Sequence, residues 1–192
     1  MFSNWAEKLE SKNLVFHMLP EHAAFILGGA LISYSIEHLL LGILTSRLSK
    51  SSKTLIYLYT KMIQANYRFN WHGLPSAIII AIIIAYWHTP EIFNQAVLDG
   101  RLHAIMHLSY IGIGVMAFLL IKVTSRVEKG FLALALGKTM LIGGQLLINP
   151  LHYFYTTYPI EQQIQSGLLM IIIDPIVVLI IVIYTVSYYL NK

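Results

Sequence analysis

Seven consecutive apolar residues decide the fold class: Ile78-Ile79-Ile80-Ala81-Ile82-Ile83-Ile84. A second, longer run from Ile171 to Ile183 is apolar except for Asp174. Neither run has a polar face to turn toward water, and the chain of 192 residues is 57% hydrophobic and only 11% charged, with a mean hydropathy of +0.67. Globular proteins carry about 25% charged residues. The sequence therefore predicts an integral membrane protein of the all-α class.

Five segments are long and apolar enough, or nearly so, to cross a hydrocarbon core that takes about 20 helical residues. They are approximately Glu21–Leu44, Leu74–His88, Leu102–Lys122, Gly130–Asn149 and Gly167–Leu190. The segment Thr45–Gly73 is too polar to span, and its apolar and aromatic residues alternate with Lys and Arg, which indicates an amphipathic helix in the membrane surface. Because no linker interrupts the chain, we expect residues 1–192 to form a single transmembrane helical bundle.

The positions of Lys and Arg predict the orientation of this bundle. Nine of them fall on one side, at Arg47, Lys50, Lys53, Lys61, Arg68, Lys122, Arg126, Lys129 and Lys192. The opposite side has three, at Lys8, Lys12 and Arg101. The positive-inside rule then predicts an outer N-terminus and a cytoplasmic C-terminus in the cell membrane. The basic residues serve as topology signals and lipid headgroup contacts, so we expect no nucleic-acid partner. The residues before the first span lack the order of a cleaved signal peptide.

This topology places six of the eight histidines at the outer face, at the ends of different spans: His17, His22, His88, His103, His107 and His152. His103 and His107 are the most specific pair, because residues four apart share one helix face and two such imidazoles can ligate one metal ion. Folding brings the span ends together. We therefore predict a metal site formed by His17, His22, His88, His103 and His107. The alternative is a set of ordinary interfacial histidines.

The ligand types limit the metal. The chain has no cysteine, which excludes thiolate ligands and disulfides. Imidazole ligands suit copper and zinc. We expect Glu21 or Glu161 to contact a ligating histidine and orient its imidazole, without binding the metal itself.

Three ionisable residues lie inside the predicted spans: Glu37, Lys138 and Asp174. At about 1.5 Å of rise per residue, Glu37 and Lys138 lie at similar depths of roughly 10 to 12 Å from the inner ends of their spans. Matching depths predict a buried Glu37–Lys138 ion pair, with Asp174 as the competing partner for the lysine. Intramembrane charges mark either function or bundle packing, and packing is the commoner case.

Several motifs together resemble the CtaG-like membrane family, which is associated with assembly of caa-type terminal oxidases. They run in order along the chain: His17-Met18, Glu21-His22, Trp87-His88-x-Pro90 with Ala96, His103-x-x-x-His107, Tyr158-Pro159, and Glu161-Gln162-Gln163 with Gly167 and Met170. The chain is most similar to the short archaeal relatives, whose function is unassigned. The resemblance implies a multi-span bundle with a histidine-rich outer face that supplies or guards oxidase copper, with oxidase subunits or a copper donor as partners.

The leading hypothesis is thus a non-enzymatic membrane protein that binds a transition metal, with copper implied by the resemblance and zinc equally compatible with the ligands. A haem b electron-transfer subunit is the alternative, because axial histidines from facing helices are what a haem in a bundle requires. A third hypothesis is an accessory subunit of a respiratory or oxygenase complex. No serine or carboxylate constellation indicates hydrolysis.

Overall fold

The computed structural model describes residues 12–45, 50–149 and 153–190. Within these ranges the chain forms helices and turns without a strand. Four helices are long and apolar enough to cross a membrane, or five if one sharply bent pair is counted as a span. The predicted all-α membrane bundle is confirmed.

Within the described residues, seven helices follow one another. The first, α1, passes through Leu14–Phe16, a π-helical segment His17–Glu21, and His22–Thr45. The others are α2 (Lys50–Phe69), α3 (Leu74–Trp87), α4 (Pro90–Leu98), α5 (Gly100–Val123), α6 (Arg126–Leu147) and α7 (Ile160–Leu190), with a 3-10 turn at Trp71–Gly73 before α3. The predicted spans coincide in sequence with α1, α3, α5, α6 and α7, of which α3 is long enough to cross a membrane only together with α2. The helices α1 and α7 begin seven residues earlier than expected. The connection between the second and third predicted spans contains α4, a helix that the sequence analysis did not predict.

Two glycines allow α1 and α5 to touch backbone to backbone. A side chain at Gly29 would overlap the carbonyl group of Ile111, and one at Gly114 would overlap the carbonyl group of Ile26. Small residues permit this approach in membrane helices, where packing rather than water drives association. The two helices that carry most of the histidines are therefore held in close contact.

A second glycine contact joins α6 to α7. A side chain added at Gly144 would lie 2.8 Å from the carbonyl oxygen of Gly167, and one added at Gly167 would lie 2.6 Å from that of Gly144. The bundle thus consists of two tightly packed helix pairs, with α3 lying against both α5 and α6.

A sharp corner separates α2 from α3, whose axes differ by 74°. His72 (φ 49°) and Gly73 (φ 73°) both adopt left-handed backbone conformations there, which glycine tolerates and most residues avoid. Asn70 closes the corner by accepting a hydrogen bond from the Ser76 backbone N–H (3.1 Å). The helix predicted within Thr45–Gly73 is confirmed as α2, and its position in the membrane surface stays a prediction.

Candidate metal centre

All five histidines predicted as ligands come together at one end of the bundle. His17 and His22 belong to α1, His88 follows the last residue of α3, and His103 and His107 belong to the first turns of α5. The ring centroids of His17 lie 4.9 Å from His22 and 5.2 Å from His103. Those of His103 and His107 are 4.2 Å apart. The sixth histidine of the predicted cluster, His152, lies outside the described residues.

The π-helical segment of α1 explains why His17 and His22, which are five residues apart, lie next to each other on one side of the helix. A π turn bonds residues five apart and is wider than an α-helical turn, so residues i and i+5 lie closer to one face than they do in an α-helix. His17 and His22 are such a pair, and their side chains are 0% and 4% exposed. Pro20 lies inside this segment, where it has no N–H to donate and its ring crowds the preceding turn. The first span was predicted to start at about Glu21, which would leave His17 before the helix, but the helix already begins at Leu14.

Four side chains form a compact group of possible ligands. His17, Glu21, His103 and His107 each offer one ligand atom, and these atoms all lie within 4.8 Å of one another. Glu21 comes from the same π-helical segment as His17, while the other two histidines come from α5. Glu21, expected only to orient an imidazole, is therefore close enough to be a ligand itself.

The Glu21 carboxylate joins the two helices. Its Oε2 atom lies 2.8 Å from His17 Nδ1 and its Oε1 atom lies 3.2 Å from His107 Nε2. A carboxylate only accepts hydrogen bonds when ionised, so the proton of neutral His17 resides on Nδ1 and the lone pair on Nε2. That Nε2 atom is buried and makes no hydrogen bond to any described residue. A buried imidazole nitrogen in this state is suited to bind a metal.

A backbone hydrogen bond fixes the His103 side chain. The partner is Ala96 of α4, the helix that the sequence analysis missed. Metal-ligating histidines commonly use one ring nitrogen in this way, which orients the ring and sets its tautomer. Pro90 at the first position of α4 was the available signal, because proline favours the start of a helix.

Aromatic side chains pack around part of the group. Phe93 packs its edge against His17 at a centroid distance of 5.2 Å, and Phe25 stacks on His107 at 4.1 Å. Tyr158 lies 6.5 Å from His17 and is almost fully buried. A water-poor enclosure strengthens any electrostatic interaction inside it. Neither phenylalanine was singled out from the sequence.

His22 and His88 lie beside this group rather than within it. Their ring centroids are 5.9 Å apart. His22 stacks on Tyr110 at 4.1 Å, and both the His22 Nε2 atom and the Tyr110 hydroxyl are buried without a hydrogen-bond partner among the described residues. Tyr110 was missed, although it follows His103 and His107 on the same face of α5 at helical spacing.

The segment before α7 covers His88. Tyr155 donates its hydroxyl to the His88 carbonyl oxygen (3.2 Å), and burial raises the pKa of the Tyr155 phenol, so the donor stays protonated. Gln163 holds this segment, since its Nε2 donates to the Tyr155 and Tyr158 carbonyls (3.1 and 3.3 Å). Glu161, the other residue predicted to orient an imidazole, is exposed and makes no hydrogen bond or ion pair with the described histidines.

The buried charges pair differently from the prediction. Lys138 Nζ lies 2.6 Å from Asp174 Oδ2, so the lysine takes the competing partner and the predicted Glu37–Lys138 pair does not form. Glu37 instead contacts Lys122 Nζ (2.5 Å) and accepts a hydrogen bond from Tyr59 (2.9 Å). Matching depth did not suffice because α1 packs on α5 whereas α6 packs on α7.

The two histidines predicted for the inner half lie apart from the cluster. His38 faces Tyr34 at a centroid distance of 6.0 Å. His72, in the corner before α3, contacts Glu128 near the start of α6. The described histidines are therefore divided between the two ends of the bundle, and the orientation of the bundle in the membrane stays a prediction.

Comparisons with protein-family models, with curated proteins and with solved structures find no match to this chain. The CtaG-like resemblance stays a prediction, so the geometry of the histidine cluster carries the functional conclusion.

Proposed function

We propose that this chain is a non-enzymatic membrane protein that binds a transition-metal ion through His17, Glu21, His103 and His107. The supporting observation is the set of possible ligand atoms within 4.8 Å of one another, contributed by two different helices. Three imidazoles and a carboxylate make a donor set typical of copper and zinc.

Burial favours metal binding over ordinary packing. Polar atoms that leave water without a partner destabilise a fold, and buried side-chain nitrogens in native proteins nearly always have one. His17 is 0% exposed and its Nε2 atom has no hydrogen bond among the described residues. A bound ion would satisfy that nitrogen and neutralise the Glu21 carboxylate.

Copper is the ion we propose, because the CtaG-like resemblance associates the motifs with oxidase copper. Under this proposal the protein holds copper at the outer face of the cell membrane, for supply to a terminal oxidase or during its assembly. The excess of Lys and Arg at the opposite end of the bundle supports that orientation. Oxidase subunits or a copper donor would be the partners, with membrane lipids around the spans.

The arrangement of the rings argues against the haem alternative. A haem with two axial histidines needs a flat, open slot between the imidazoles. Glu21 lies between His17 and His107 and contacts both, while Phe25 and Phe93 occupy the outer sides of those rings. A visible spectrum of the purified protein tests this point, since a Soret band would favour haem.

Metal titration of the intact protein in nanodiscs tests the proposal. Chelator-treated wild-type protein should bind copper measured by competition with a chromophoric chelator. His103→Ala and His107→Ala should each weaken binding by more than the about 10- to 100-fold that follows loss of an orienting partner. His38→Ala, at the other end of α1, is the matched control and should bind as the wild type does. Folded wild-type protein that binds neither copper nor zinc would refute the proposal and favour the accessory-subunit hypothesis.

A further inference from the structure

The five histidines divide into two groups, and only one group is used by the proposed site. His17, His103 and His107 share the neighbourhood of Glu21. His22 and His88 lie next to it in a T-shaped arrangement, with a centroid distance of 5.9 Å and an interplanar angle of 81°. Tyr110 closes the other side of His22.

His88 presents its Nε2 atom as an acceptor. Its Nδ1 lies 2.8 Å from the Ile84 carbonyl oxygen, and a carbonyl oxygen accepts hydrogen bonds but never donates them. The proton is therefore on Nδ1, and the Nε2 lone pair of neutral His88 is left for another partner. A backbone carbonyl is one of the usual groups that orient a metal-ligating histidine.

One ring nitrogen of the buried His22 has no hydrogen-bond partner among the described residues. The residue is 4% exposed, and its Nε2 atom makes no hydrogen bond to any described residue. The Tyr110 hydroxyl next to it is in the same state, on a residue that is 1% exposed. Two buried polar groups on stacked rings, both without a hydrogen-bond partner among the described residues, favour a ligand-binding role for this part of the bundle.

The distance between the rings fits a shared ion. Two imidazoles whose nitrogens each lie about 2.0 to 2.1 Å from one metal have ring centroids roughly 5 to 6 Å apart. The 5.9 Å between His22 and His88 falls at the wide end of that range, which suits a low coordination number.

We infer that His22 and His88 form a second metal site, with the Tyr110 hydroxyl beside it, so that the protein holds two ions side by side. This inference rests on the proposed function. The donors of the second site are two neutral imidazoles and a neutral phenol, so they supply no negative charge. A singly charged ion loses less hydration free energy in such surroundings than a doubly charged one, so the second site takes Cu(I).

The two sites would act together because His17 links them. Its ring centroid lies 4.9 Å from His22 on one side and 5.2 Å from His103 on the other. A pair of adjacent sites gives copper a short route between ligand sets within the membrane end of the bundle.

Copper stoichiometry distinguishes the two sites. The intact protein in nanodiscs is loaded anaerobically with Cu(I), freed of excess metal, and analysed for copper per chain. Wild type should retain two ions, and the His22→Ala/His88→Ala double variant should retain one. The His103→Ala/His107→Ala double variant should also retain one. The His38→Ala/His72→Ala double variant removes two histidines from the opposite end and should retain two.

Three other outcomes would overturn the second site. If the wild type retains one ion per chain and the His22→Ala/His88→Ala variant also retains one, the second site is overturned and the proposed function stands. One ion in the wild type that disappears in both cluster variants also overturns it, in favour of a single shared site. No ion in folded wild type refutes the proposed function as well. If the double variant fails to fold, His88→Gln at the end of α3 replaces it, with the same loss of one ion expected.

Discussion

Lys138 and Asp174 form an ion pair between α6 and α7, with 2.6 Å between Nζ and Oδ2. The aspartate is 6% exposed and the lysine 49% exposed, and Lys138 lies on the helix that carries the Gly144 contact with α7. Charges within spans are rare and usually face a partner of opposite sign. This pair therefore fixes how the two helices lie against each other.

Removing the lysine alone should destabilise the bundle. Lys138→Met leaves the Asp174 carboxylate buried and uncompensated, which costs about 3 to 5 kcal/mol for a buried pair. The Lys138→Met/Asp174→Leu double variant should recover much of that loss. Thermal unfolding in detergent measures both variants. Equal stability of wild type and the single variant would show that the pair contributes nothing to the free energy of unfolding.

Glu21 and Glu161 provide a matched pair of carboxylates for the metal site. Glu21→Gln removes the charge that contacts His17 and His107, so copper affinity should fall at least about 10- to 100-fold, the loss expected for an orienting group. Glu161 is exposed at the start of α7, so Glu161→Gln should leave the affinity unchanged. A loss with Glu161→Gln instead would restore the role that the sequence analysis gave it.

The glycine contact between α1 and α5 should control both stability and binding. Gly114→Val would place a branched side chain against the carbonyl group of Ile26 and force the helices apart. We expect a lower melting temperature and weaker copper binding. Gly112→Val is the control on the same helix, because a side chain there has no atom within 4 Å. Similar behaviour of the two variants would mean that close packing at Gly114 is unimportant.

The orientation of the bundle can be tested with introduced cysteines, since the chain has none of its own. Leu98 in α4 is 79% exposed at the histidine end, and Val127 in α6 is 44% exposed at the other end. In intact cells a membrane-impermeant maleimide should label Leu98→Cys but not Val127→Cys. The reverse pattern would place the cluster on the cytoplasmic side and remove the basis for an outer copper site.

Membership of the cluster was predictable because helix ends on one side of a membrane must meet. Hydropathy located the spans, and the distribution of Lys and Arg predicted which span ends share one side of the membrane. Five histidines lie at those ends: His17, His22, His88, His103 and His107. Placing these five histidines at one end did not require knowing which helices pack against each other. The same reasoning placed His38 and His72 elsewhere.

The contacts within the bundle were less predictable, because they depend on which helices pack together. Depth alone paired Lys138 with Glu37, whereas the packing of α6 against α7 gives it Asp174. The π-helical segment was also missed, since Pro20 usually marks a helix start. That error hid the helical face shared by His17, Glu21 and His22, and with it the close approach of Glu21 to the α5 histidines.

The crossing angle of α1 and α5 controls the distances within the proposed metal centre. His22 precedes Gly29 by seven residues, and His107 precedes Gly114 by seven. Each histidine therefore lies about 10 Å along its helix from the glycine at the crossing, at 1.5 Å of rise per residue. A change of about 10° in the crossing angle would move the facing rings by about 2 Å, as much as an entire metal–nitrogen bond. A partner that tilts α1 against α5 would therefore open the proposed centre, and we expect it to release a bound ion without contacting any of the ligands.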